Sequence, residues 1–106
     1  MVTGTKPMII GFYRADPHVQ SMATANVAVM SAWSHREGYL LGAPYRDADG
    51  NGALETVLDR LSKHEDVVGV VVPSLDHLGP EVEASVSRIA ATGKQLFVAN
   101  PTEARR

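Results

Sequence analysis

Residues 66–80 read D-V-V-G-V-V-V-P-S-L-D-H-L-G-P. The first half sets five valines, Val67, Val68, Val70, Val71 and Val72, around the single Gly69. A β-branched run without polar alternation is the pattern of a strand buried on both faces, as a central strand of a parallel sheet is. At Pro73 the composition switches to turn-forming and polar residues: Ser74, Asp76, His77, Gly79 and Pro80. In open α/β sheets, sites lie outside the carboxyl ends of the strands. The strand reading therefore places the candidate site at Ser74, Asp76 and His77.

Working outward, residues 8–13, M-I-I-G-F-Y, read as a first strand that is apolar on both faces. Arg14 to Pro17 form a turn, with Asp16 as helix cap and Pro17 as first helical residue. A long helix follows to about Glu37, with Val19, Met22, Asn26, Val27, Met30, Trp33 and Ser34 on adjoining turns and Gly38 as its stop. Trp33 is assigned to packing against the sheet. Residues 39–45, Y-L-L-G-A-P-Y, read as a second strand whose Gly42 and Pro44 put it at an edge. A second helix over 53–64 presents Leu54, Val57, Leu58 and Leu61 on one face. A third over 81–92 presents Val82, Val86, Ile89 and Ala90, and residues 95–99 form a fourth strand. The β-α-β-α-β-α-β order predicts a three-layer α/β domain: four mostly parallel strands with right-handed crossovers and helices on both faces.

Composition narrows the function classes. The chain of 106 residues has room for one domain and one core. A net charge of -2 is a poor start for a nucleic-acid binder, which usually carries a basic face. The absence of cysteine excludes disulfides, thiolate metal sites and a Cys nucleophile. No apolar run approaches the ~18 residues that span a membrane, and the first seven residues lack a signal-peptide core, so a cytoplasmic protein is expected. The four histidines, His18, His35, His64 and His77, fall at no metal-ligand spacing. Asp47, Asp49, Asn51 and Gly52 match the opening of a calcium loop, but Leu58 stands where the closing glutamate belongs. A solvated acidic loop is the simpler reading. No G-x-G-x-x-G dinucleotide fingerprint follows the first strand, where only Gly11 appears, and Asp16 lacks the second acid of a phospho-receiver. No cofactor is expected.

If the first and third strands are neighbours, Arg14 and Asp16 lie beside Asp76 and His77 at a switch point. Together with Ser74 they make a candidate pocket for a small anion or for acid–base work. Helix capping and a surface ion pair account for the same residues without any ligand.

Here the chain resembles a known family. I-G-F-Y-R-A-D-P-H-V-Q at 10–20 is similar to the opening of the serine recombinase (resolvase/invertase) catalytic domain. In that family the first strand runs into a tyrosine, an arginine, the nucleophilic serine and then a glutamine. L-D-H-L-G-P at 75–80 resembles that family's L-D-R-L-G-R signature. Between them, Y-R-D-A-D-G-N-G-A-L-E-T-V-L-D-R-L fits the family's Asp, its Ser-Gly loop and the helix after it. Arg14, Gln20, Asp76, Leu78 and Gly79 match their counterparts. The departures fall on the chemistry: Asp16 stands at the nucleophile, His77 and Pro80 stand at the two signature arginines, and the loop around Asn51 and Gly52 lacks its serine and the arginine that should follow.

The resemblance implies attack of a serine hydroxyl on a DNA phosphodiester, with an arginine cluster stabilising the charge that develops. An aspartate at that point repels phosphate. The expectation is therefore a stand-alone, non-catalytic resolvase-like domain over residues 1–106, without the long dimerisation helix and helix-turn-helix of active members. It would act as a regulatory or protein-interaction module, through protein partners or as a homodimer. DNA binding by this chain alone is not expected. The alternative is a small-ligand or phosphate-binding domain, or an enzyme of another kind, that uses the same turn pocket.

Overall fold

Val67–Val72 forms strand β4 and lies inside a parallel sheet, with β1 (Met8–Arg14) on one side and β5 (Gln95–Val98) on the other. The structure is a computed structural model that describes residues 6–14, 21–47, 52–78 and 81–99. The far edge of β1 carries two short strands, β2 (Leu40–Leu41) beside Met8 and Ile9, and β3 (Tyr45–Asp47) beside Phe12 to Arg14. The order is β2-β1-β4-β5, with β3 also on β1, and all four pairings are parallel.

The second strand expected over 39–45 is thus two strands. Gly42 still donates its N–H to the Ile9 carbonyl at 2.8 Å, but Pro44 has no N–H to give, and the chain leaves the ladder at Ala43 and Pro44 before Tyr45 rejoins. The edge position is as expected. Among the described residues the sheet has five strands rather than four, within the α/β class that the sequence predicts.

The helices are α1 (Ser21–Glu37), α2 (Ala53–Lys63) and α3 (Val82–Ala91). Alternate residues of β1 feed two cores. Ile10 and Phe12 pack with Val70 and Val72 against Val57, Leu58 and Leu61 of α2 and Ile89 of α3. Ile9 and Tyr13 pack with Val71 against Met30 of α1. Each such side chain taken fully out of water contributes about 1.5–3 kcal/mol. The alternation of β4 breaks at Val68, where the pairing with β1 slips from Met8↔Val67 to Ile9↔Gly69. One extra residue on β4 puts both Val67 and Val70 on the α2–α3 face.

Gly69 carries no side chain because β5 comes too close. A Cβ there would lie 2.5 Å from the Gln95 carbonyl oxygen and 2.8 Å from a Phe97 ring carbon. The Phe97 ring meets Trp33 at 5.1 Å and Tyr39 at 5.0 Å between centroids, so Trp33 does pack on the sheet. Over residues 24–37 of α1 the burial is narrow: Met30 and Ser34 are buried, whereas Val27, Asn26 and Trp33 are half-buried, and the side chain of Met22 lies outside what is described. Val19, Asp16 and Pro17 lie outside the described residues. On α3 Ile89 is buried and Val82 and Val86 pack against the same core, Ser85 is buried beside them, and Ala90, assigned inward from its spacing, is exposed.

Candidate functional site

β1 and β4 lie side by side with Gly11 opposite Val71, so their carboxyl ends open at the same edge of the molecule. This is the switch-point geometry of the sequence argument. Arg14, the last residue of β1, is exposed. After β4 the chain passes through buried Pro73 and Ser74 into a single 3-10 turn, Leu75–Leu78. The sequence marks a turn there but not its helical form.

That turn is fixed at both ends. The His77 N–H donates to the Ser74 carbonyl at 3.1 Å, and the Ser85 hydroxyl of α3 donates to the Leu78 carbonyl at 3.1 Å. Leu78 itself is buried in the α2–α3 core. A third bond crosses to the neighbouring strand: the Arg14 backbone N–H donates to His77 Nδ1 at 3.0 Å. An imidazole nitrogen that accepts has a free lone pair, so the neutral ring carries its proton on Nε2. Burial lowers the His77 pKa below its usual 6.5, Asp76 partly offsets this by raising it, and the Arg14 charge lowers it further. At neutral pH the ring is uncharged.

Of the five pocket candidates, the structure joins Arg14 and His77 directly. Asp76 is exposed beside them on the turn. Ser74 is buried and serves the turn through its carbonyl. Asp16 lies outside the described residues, as do Gly79 and Pro80.

One residue placed elsewhere by the sequence argument belongs here. Asp47, nominated as a weak calcium ligand, is the last residue of β3 and pairs in register with Arg14. Its Oδ1 is buried without a hydrogen-bond partner, and so is Nε of Arg60, whose Nη1 donates to the Tyr45 hydroxyl at 3.1 Å. Asp49 and Asn51 fall outside the described residues. Among the described residues, no group of three or more His, Asp or Glu side chains is placed to hold a metal ion. Among them too, no helix is long and apolar enough to cross a membrane.

No protein-family model matches the chain, and no curated protein matches it in sequence. Solved structures do match in shape. The C-terminal catalytic domain of ISC1926 TnpA, an IS607-like serine recombinase, superposes with a TM-score of 0.77 over 92% of this chain and 74% of its own, at 12% identity. The corresponding domain of IS1535 TnpA, also an IS607-like serine recombinase, gives 0.70 over 90% and 73%, at 21% identity. The fold is that of a serine recombinase catalytic domain. The N-terminal catalytic domain of TP901-1 integrase shares it, with a TM-score of 0.70 over 87% of this chain and 76% of its own, at 13% identity. At 12–21% identity the likeness is one of fold.

Proposed function

We propose that this chain is a non-catalytic domain of serine-recombinase fold that acts as a regulatory or protein-interaction module. One observation carries the reading: His77, where the resemblance places an arginine, is a neutral imidazole whose Nδ1 is occupied by a backbone N–H. Phosphoryl transfer is mostly positioning and charge stabilisation. Removing one stabilising contact of that kind typically costs about 2.7–4 kcal/mol of barrier. Here the arginine positions hold His77 and Pro80, and the nucleophile position holds Asp16. Arg14 alone among the matched positions keeps its cation.

The test is a DNA-nicking and phosphoserine-trapping assay on the intact chain and on Asp16→Ser. Neither protein should cleave, because the single change supplies a hydroxyl and no cation. Nicking by the intact chain would sink the proposal. The interaction role is checked by sedimentation, for a homodimer, and by affinity capture from the native cell, for another protein.

The contact between Arg14 and His77 at a switch point also favours a second reading, a small-anion site formed by Arg14, Asp16, Ser74, Asp76 and His77. It requires inorganic phosphate or another anion of a ligand panel to raise the melting temperature, and Arg14→Ala to abolish the rise without unfolding the domain.

A further inference from the structure

We propose that His77 is a pH-operated tether between the carboxyl end of β1 and the turn that follows β4. The bond it makes is of an unusual kind for this domain. It joins residues 63 apart in sequence, and its acceptor is a titratable ring nitrogen rather than a carbonyl. Protonating Nδ1 removes the lone pair and turns the acceptor into a donor that faces another donor, the Arg14 N–H. The contact then changes from attractive to repulsive without any other atom moving.

The surroundings set the direction of the switch. The imidazole is half-buried, so its charged form is disfavoured by lost hydration. Arg14 opposes a second positive charge at the end of β1, and Asp76 on the turn itself favours one. Asp47 of β3 is the register partner of Arg14, and α3, packed behind the turn, carries exposed Glu81 and Glu83 at its start. β4 contributes no charged group. The folded pKa is lowered from 6.5, so the tether is fully in place above 6.5 and is lost as pH falls through the lower folded value. The Ser74, Leu78 and Ser85 contacts do not involve the ring, so they keep the turn folded while β1 is released from it. The outcome is a local opening at the candidate site rather than a collapse of the domain. The inference holds whether or not the domain is catalytic.

The experiment follows the intact chain from about pH 7.5 to about pH 5, a range that brackets an unperturbed histidine and reaches below it. Nitrogen-15 NMR should show His77 protonated on Nε2 alone at the upper end, and the Arg14 amide should shift in step with the His77 ring as pH falls. His77→Gln keeps an acceptor that does not titrate. The parent should lose about 4–8 °C more in Tm over the range than this variant does, the size expected for one net hydrogen bond in a domain this small. His35→Gln, at an exposed site on α1, should behave as the parent. An Arg14 amide indifferent to His77 titration, or a ring protonated on Nδ1 at pH 7.5, would overturn the proposal. If His77→Gln does not fold, the NMR titration of the parent still decides.

Discussion

Ser85 shows how much one hydroxyl does when its partner is buried. Its Oγ donates to the Leu78 carbonyl and ties α3 to the turn that carries His77. Ser85→Ala leaves that carbonyl unsatisfied and should cost about 1–3 kcal/mol in chemical denaturation. Arg88 offers the opposite case. It makes two short bonds to Glu55, at 2.7 and 2.6 Å, yet its side chain is 48% exposed and that of Glu55 is 64% exposed. Water competes for both charges, so Arg88→Ala should change stability by less than about 1 kcal/mol, and high salt should erase even that. Equal losses from the two substitutions would mean that burial is not what separates them. Lys94 lies between these extremes, with its Nζ capping the His64 and Val67 carbonyls where β4 begins. None of these contacts is legible in the sequence, because each depends on which elements lie side by side in the fold.

At the scale of elements, β4 was legible because its pattern has one meaning. A valine run without alternation can only be covered on both faces, and that is where it lies. The second strand was less legible for a local reason: Gly42, Ala43 and Pro44 interrupt a stretch whose ends, Leu40–Leu41 and Tyr45–Asp47, both return to β1. The spacing argument for α1 was looser still. Over residues 24–37 this helix buries Met30 and Ser34 on a narrow line and leaves Ala25, Ala28 and Ala32 exposed. The glycine within β4 reads in the sequence as a mere gap, but the structure gives it a role. Gly69→Ala would push a methyl group into the Gln95 carbonyl of β5, backbone that cannot step aside as a flexible side chain would. Thermal unfolding should show a loss of about 1–3 kcal/mol, with hydrogen exchange rising first in Gln95–Val98. An unchanged exchange pattern on β5 would show that the strand does not depend on that close approach.

For the whole molecule, topology made the site legible and chemistry left it undecided. The order of strands and helices placed Arg14 beside His77 on one condition, that the two strands are neighbours, and β1 and β4 are, so their carboxyl ends reach one edge. It could not say that the contact is through the Arg14 backbone, since that depends on the 3-10 form of the turn after β4. Charge bears on what this edge can meet. The chain carries 10 basic and 12 acidic residues, and the acids include Asp47 and Asp76 beside Arg14. A duplex carries a negative charge about every 1.7 Å of its axis, so binding it needs several phosphate contacts acting together. Any attraction from isolated cations such as Arg14 should therefore be weak and uncorrelated with sequence. In an electrophoretic shift assay, binding seen at low ionic strength should vanish by about 200 mM salt, because affinity falls steeply with each counterion released. A complex that persists at that salt would reveal a DNA-binding face that this charge pattern does not provide. It would also reopen the question of what the fold does at Arg14 and His77.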